Sequence, residues 1–189
     1  MKRLTLTLVL SLAACASSPT THFYTLLPVA SAHADPAPAA ELPLRLGKIT
    51  LPEMLDRSGM VALGPGTAVS VSDQDRWAAP LKDLVRSALT ADLRDRLGAS
   101  RVLEPGAPVP EARTAIVTLD VQRFAADTSG NVVLAADWTE VRTAGGSQRT
   151  VGMHQVTLRT QAASTRGDAV SSAMSRLLGE LADRIADAG

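Results

Sequence analysis

Histidines are the first side chains in this sequence that could carry chemistry, as metal ligands. His22, His33 and His154 are scattered, without the HExxH or His-x-His spacing of a metal site. His154 alternates in phase with Val156 and Leu158, which predicts a packed or half-buried ring rather than a ligand. We therefore expect no metal site in this chain.

Nucleophile and phosphate motifs are missing as well. The sequence has no GxSxG, and Gly145-Gly146-Ser147 is better explained as a hairpin turn than as a nucleophile elbow. Gly64-Pro65-Gly66 lacks the lysine and the following helix of a phosphate-binding loop. Four carboxylates could still pair for acid/base catalysis: Asp120, Asp127, Asp137 and Glu140. They lie on a predicted meander of strands whose polar face needs charged residues in any case. The sequence favours a protein without catalytic residues or cofactor; an anchored periplasmic hydrolase is the alternative that needs a cleft with convergent polar groups.

The one cysteine, Cys15, follows a segment with the layout of a signal peptide. Lys2 and Arg3 are basic, residues 4–12 are apolar, and Leu12-Ala13-Ala14 leads directly into the cysteine. The apolar run is shorter than the ~20 residues that span a bilayer. A single cysteine also excludes an intramolecular disulfide and a CxxC site.

The ending Leu12-Ala13-Ala14-Cys15 resembles the lipobox of bacterial lipoproteins. The resemblance implies that signal peptidase recognises Leu12, Ala13 and Ala14 and removes residues 1–14. The Cys15 thiol and the new amino terminus would then carry acyl chains such as palmitate. Three chains on one residue make release negligible, because stable anchoring takes only two signals. The alternative is an ordinary secretory signal whose cleavage site happens to contain a cysteine.

The residues just after the cysteine give two further expectations. By resemblance to sorting rules in Gram-negative bacteria, Ala16 in place of aspartate predicts export to the outer membrane, facing the periplasm. Residues 15–21 form the acylated tether, and the six residues from Ala16 to Thr21 span at most about 20 Å. The folded body is therefore expected close to the membrane surface.

Composition excludes several classes of binder. The 189 residues include 19 basic and 19 acidic side chains, so the chain lacks the positive excess with which nucleic-acid binders neutralise phosphate. Removal of residues 1–14 leaves 175 residues with a net charge of −2, so no polybasic segment adds to membrane attachment. Hydrophobic residues make up 46% of the chain, enough for a core, and the length predicts one domain.

The first part of the mature chain predicts short strands. They are expected at His22–Leu27 and Leu44–Leu51, with shorter extended pieces at Val61–Leu63 and Val69–Val71. Residues 28–43, rich in alanine and proline, are expected to form a loop between the first two strands.

An amphipathic helix is expected next, ending at Gly98. Steps of three and four define its apolar stripe: Trp77, Leu81, Leu84, Val85, Ala88, Leu89, Leu93 and Leu97. Asp75 or a near neighbour is the expected cap, and Pro80 fits only near the first turn. The charge pair Asp92 and Arg96 is expected on the solvated face.

The rest of the chain predicts an antiparallel meander and a second helix. Extended stretches at 114–124, 132–142 and 150–160 are separated by short glycine turns. The second helix is expected to be capped by Asp168, with a stripe of Val170, Ala173, Met174, Leu177, Leu178, Leu181 and Ile185. Trp77 and Trp138 are expected in the core. The predicted fold is a single α/β domain over residues 22–187, in which a mixed, largely antiparallel sheet is covered by two amphipathic helices.

Several segments together resemble the PqiC/YmbA-like ABC-type transport auxiliary lipoproteins. They are the lipobox, His22-Phe23-Tyr24-Thr25-Leu26, Leu51-Pro52 followed by Leu55-Asp56-Arg57, Arg76-Trp77-Ala78-Ala79-Pro80-Leu81, and Ala136-Asp137-Trp138. The resemblance lies in the order and spacing of these segments, and it covers essentially the whole mature chain.

The resemblance implies a non-enzymatic outer-membrane lipoprotein that faces the periplasm. Such a protein would dock the periplasmic MCE (mammalian cell entry) domain protein of a lipid transporter, support envelope integrity and form a ring-like homo-oligomer. No catalytic residue is implied, and Asp56-Arg57 and Arg76-Trp77 are candidates for fold or contacts only. The alternative is a structural or cell-wall-contacting lipoprotein unrelated to transport.

Overall fold

The computed structural model describes residues 19–31, 42–104, 106–108 and 113–188. Its elements in chain order are β1 (His22–Tyr24), β2 (Leu44–Thr50), a 3-10 turn (Glu53–Leu55), β3 (Gly59–Leu63), β4 (Val69–Trp77), α1 (Leu81–Leu97), β5 (Arg113–Asp127), β6 (Asn131–Ala144), β7 (Ser147–Gln161) and α2 (Gly167–Ala188). The predicted α/β class, with one mixed sheet and two helices, is confirmed.

The strands form one sheet in the order β1-β4-β3-β5-β6-β7, and β2 pairs with β5. β2 and β3 each pair in parallel with β5. β2 pairs with the beginning of β5, and β3 pairs with the end of β5. β1 and β4 are also parallel, whereas β3 and β4 and the long ladders from β5 to β7 are antiparallel. Positive φ angles at Gly130, Gly145 and Gly146 allow the tight turns of the predicted meander, which is confirmed.

The core lies between the sheet and the two helices, which contact each other. On β6, alternate residues from Val132 to Trp138 are buried in this core. The whole predicted stripe of α2, from Val170 to Ile185, is buried with them. Residues of opposite phase, such as Thr139 and Met153, face away from this core and are partly or fully exposed.

Trp77 is buried as predicted, but it ends β4 and does not belong to the helix. α1 begins at Leu81 because Pro80 has a ψ of 130°, outside the helical region. Asp75 is not the cap of α1: it lies in β4 and accepts a hydrogen bond from the Tyr24 hydroxyl at 3.1 Å, and α1 has no side-chain cap. The predicted end at Gly98 is confirmed.

Two strand lengths also differ from expectation. β1 stops at Tyr24, and β4 covers nine residues where a short piece was expected. The second half of β4 is polar and mostly exposed, so it lacks the apolar alternation that predicts a strand. In the predicted loop, residues 32–41 lie outside the described part of the chain.

Asp168 is not the cap of α2, because the helix already begins at Gly167. Asp168 lies in the first turn, where its carboxylate pairs with Arg166 at 2.9 Å. Among the residues that the structure describes, no helix is both long and apolar enough to cross a membrane.

Candidate functional site

The carboxylates of the meander have structural partners. Asp120 and Asp137 face each other across β5 and β6. The Thr50 hydroxyl donates to Asp120, and the Gln122 amide donates to Asp137 at 2.6 Å. These neutral donors fix the two side chains on the sheet face that the helices leave uncovered.

Asp127 and Glu140 are also occupied by local contacts. Asp127 accepts hydrogen bonds from the amides of Ser129 and Asn131 at 2.8 and 2.9 Å, which hold the β5–β6 turn. Hydrogen bonds from Asn131 keep the pKa of Asp127 below its usual range. Glu140 is buried and pairs with Arg142 at 2.7 Å.

His154 is a packing residue, as predicted. Its ring stacks on Trp138 with the ring centroids 4.8 Å apart and the planes 11° from parallel. Trp138 is buried and His154 is half-buried. Within the described ranges, no three histidine, cysteine or acidic side chains come together as a metal site.

Asp92 and Arg96 form a buried cluster, so the expectation of a solvated pair was wrong. The Asp92 carboxylate accepts a hydrogen bond from the Val29 amide at 2.7 Å. The Arg96 guanidinium donates to the Val29 carbonyl at 3.1 Å and to Asp183 of α2 at 2.5 Å. Gly179 of α2 leaves room for this cluster, since a Cβ there would lie 3.0 Å from Val29 Cβ. The cluster fastens the segment after β1 to both helices.

The signal for this burial was present in the sequence. Asp92 and Arg96 lie three and seven positions after Leu89, on the same side of α1 as the apolar stripe. Their charge suggested the solvated face, but their spacing placed them at the helix contact. Burial raises the pKa of Asp92 from 3.8 to about 6.

A cavity of about 300 Å³ lies between the β3–β4 hairpin and the start of α2. Met60, Val71 and Val170 give it mainly apolar walls. Its two carboxylates are those of Asp75 and Asp127, which already bind Tyr24 and the β5–β6 turn. The cavity therefore does not present the convergent polar groups of an active site.

The long strand β7 offers a different kind of surface. Its 15 residues pair with β6 on one side, and no strand of the described chain pairs with its other side. Met153 is 80% exposed and Val151 is 41% exposed on this strand. Half of the backbone groups of an edge strand point away from the sheet, so β7 can accept a further strand.

Positive charge accumulates along the same strand. Residues 141–167 contain four arginines and no acidic residue. Two of the arginines pair with Glu140 and Asp168. The other two, Arg149 and Arg159, are exposed on β7. The β7 edge, defined as residues 147–161, thus combines unpaired backbone, exposed apolar side chains and positive charge.

The residues predicted for signal-peptide cleavage, lipidation and sorting lie outside the described part of the chain: Leu12, Ala13, Ala14, Cys15 and Ala16. The two candidate motifs for contacts have backbone roles. The Asp56 amide closes the 3-10 turn by donating to the Glu53 carbonyl at 3.1 Å. Arg76 is exposed, and the Trp77 amide donates to the Ser58 carbonyl at 2.8 Å.

Comparison with known proteins identifies a family and solved structures of similar fold. A family model described as "ABC-type transport auxiliary lipoprotein component" matches residues 24–186. No curated protein matches the sequence.

The crystal structure of an uncharacterized protein is similar, with 19% identity, a TM-score of 0.66, and coverage of 89% of this chain and 98% of that one. The crystal structure of a Xanthomonas campestris protein assigned to the family model DUF330 has 18% identity, a TM-score of 0.66, and coverage of 88% and 93%. Both likenesses concern the fold.

Proposed function

Because the chain belongs to the family of ABC-type transport auxiliary lipoproteins, we propose that it is a non-enzymatic docking component of an MCE-type lipid transport system. Acyl groups on Cys15 hold it at the outer membrane, facing the periplasm. There it binds the periplasmic MCE-domain protein of the transporter. The attachment supports lipid movement between the inner and outer membranes, and with it the integrity of the envelope.

The anchor is supported by the sequence and by the family. Leu12-Ala13-Ala14-Cys15 has the lipobox pattern, and the family description itself names a lipoprotein. Ala16 directs the chain to the outer membrane by the sorting rule for Gram-negative lipoproteins. Acylation alone suffices for attachment, because three chains exceed the two signals that stable anchoring takes.

The β7 edge is the observation that carries the docking role. An extended segment that adds to a free sheet edge gains main-chain hydrogen bonds, and the side chains beside it provide specificity. The ladder between β6 and β7 is interrupted only near Val151, where the register shifts. Residues 152–161 therefore form a regular run of ten residues for a partner strand.

The charge of the β7 edge selects the kind of partner. Arg149 and Arg159 are exposed on it, and the strand has no acidic residue. Complementary charge steers association and rejects like-charged partners. We therefore propose that the partner contributes an extended segment with acidic side chains. If Arg149 and Arg159 served only to prevent other strands from pairing with β7, the β7 edge would not bind an acidic segment.

Site-specific photocrosslinking in intact envelopes tests this function. A photoreactive residue replaces Met153 on β7, and a matched one replaces Lys82, which is exposed on α1. We expect the probe at Met153 to crosslink to the MCE-domain protein at least about tenfold more than the probe at Lys82, because main-chain pairing requires close contact.

Two further variants sharpen the result. Arg149→Glu with Arg159→Glu should reduce the crosslink about tenfold through like-charge repulsion. Cys15→Ser should abolish it by removing the anchor. Equal crosslinking from Met153 and Lys82, or capture of a second copy of this chain alone, would contradict docking at the β7 edge.

A further inference from the structure

We infer that the β1 end of the sheet lies against the bilayer, with Phe23 and Leu27 at the depth of the lipid headgroups. The inference rests on the proposed acylation of Cys15. It adds to the proposed function the surface by which the folded domain itself meets the membrane, and the orientation that follows from it.

Two large apolar side chains are exposed in the first described segment of the chain. Phe23 is 66% exposed and Leu27 is 62% exposed. Four residue steps separate them, so their Cα atoms lie at most about 14 Å apart. Exposed apolar surface of this kind is unfavourable in water and favourable at a membrane interface.

The fold holds both side chains outward. Tyr24, the neighbour of Phe23 in β1, packs its ring at Gly167 of α2, so Phe23 points to the opposite face of the strand. The Leu27 amide donates to the Ser175 hydroxyl at 3.1 Å, and the preceding Leu26 is buried in the core. These contacts fix the backbone next to Phe23 and Leu27. Both side chains are therefore held in their exposed positions by the fold.

The tether brings this surface to the lipid. Phe23 is eight residues after Cys15, a distance of at most about 28 Å even when the chain is fully extended. Arg76 is the register partner of Phe23 on β4 and is exposed. An aromatic ring beside a guanidinium suits the membrane interface, where the ring meets the acyl boundary and the cation meets lipid phosphate.

An orientation follows from the strand order. β1 and β7 are the two ends of the path through the sheet. With β1 at the bilayer, the β7 edge faces the periplasm and is accessible to a protein partner.

Tryptophan fluorescence in brominated vesicles tests the inference. The acylated full-length protein is reconstituted in vesicles of phosphatidylethanolamine and phosphatidylglycerol, with and without bromine on the acyl chains. Phe23→Trp and Leu27→Trp report on the β1 end, and Met153→Trp is the matched exposed control on β7. The native Trp77 and Trp138 are each only 6% exposed, and their emission is measured in the unsubstituted protein in both kinds of vesicle and subtracted.

We expect bromine to reduce the emission added by Phe23→Trp and by Leu27→Trp at least about twofold, because interfacial side chains reach ~5–10 Å into the headgroup region. The emission added by Met153→Trp should not change. Equal quenching at all three positions, or none at positions 23 and 27, overturns the inference.

The mass of the amino-terminal peptide separates this result from failure of the proposed function. An acylated protein that sediments with the vesicles but shows no quenching at positions 23 and 27 retains its anchor and loses only the proposed orientation. If the peptide carries no acyl groups, the proposed anchor is wrong, and the inference that depends on the anchor is wrong as well.

Discussion

Asp92 is a carboxylic acid that the fold places where its charged form is disfavoured. It is fully buried, and its pKa is raised from 3.8 to about 6 because burial outweighs the Val29 amide and the Arg96 charge. Between these two values the folded chain keeps a proton that the unfolded chain has lost. The free energy of unfolding therefore decreases as the pH rises through this range.

Asp92→Asn should remove this dependence, since the amide oxygen can still accept from Val29 but cannot titrate. From pH 4.5 to 7.5 we expect the wild type to lose about 2 kcal/mol relative to the variant. Thermal unfolding across that range measures the difference. Asp95→Asn is the control, because Asp95 also binds a backbone amide, that of Ser31, but is exposed. Parallel curves for wild type and Asp92→Asn would contradict the assignment.

Single residues differ in how far the sequence predicted them. The burial of Trp138 and the packing role of His154 followed from strand alternation, and both are confirmed. Asp92 and Arg96 were misplaced because charge was given more weight than spacing. The groups that bind them in the buried cluster belong to Val29 and Asp183, 63 and 87 positions away, and local patterns do not reveal these partners.

At the level of elements, β1 depends on a close approach to α2. A Cβ at Gly167 would lie 2.4 Å from the Tyr24 ring, so only glycine fits at that position without movement. The Tyr24 hydroxyl also donates to Asp75 in β4. Gly167 thus allows the first strand to pack under the start of the second helix.

Gly167→Ala should therefore lower the free energy of unfolding by about 1–3 kcal/mol, the usual range for overpacking. Denaturant unfolding measures this loss. In a double-mutant cycle with Tyr24→Ala, the cost of Gly167→Ala should largely disappear, because the clashing ring is gone. A cost that is unchanged in the absence of the ring would show that helix geometry, not packing, requires glycine.

The meander and α2 were predictable because each has a strong period of its own. β5 and β6 alternate over long stretches, and the α2 stripe runs from Val170 to Ile185. β4 was underestimated because it is polar and exposed over most of its length. The β7 edge could not be predicted as a surface, because whether a strand lies at an edge depends on the order of all strands in the sheet.

For the whole molecule, the resemblance predicts a ring-like homo-oligomer. Native mass spectrometry of the acylated chain in detergent should give a mass several times that of one copy, because closed rings repeat one interface between identical chains. The Arg149→Glu, Arg159→Glu variant should keep that mass if the β7 edge serves the partner and not the ring. A wild-type mass equal to one copy would contradict the ring.

The shortness of β1 determines how this molecule would respond if its proposed membrane anchor and its proposed protein partner were pulled apart. Tension on the tether reaches His22 first and acts on a ladder of only three residues shared with β4. Once that ladder opens, the load passes to Leu26, which is buried in the core, and to the Leu27 amide, which is bound to Ser175. Val29, which Asp92 and Arg96 hold by its backbone, comes next. Release of residues 22–25 adds up to about 14 Å of slack, while Leu26 and the long hairpins of β5 to β7 stay in place. In the proposed arrangement between two membranes, the gap could then vary by that amount without unfolding the core.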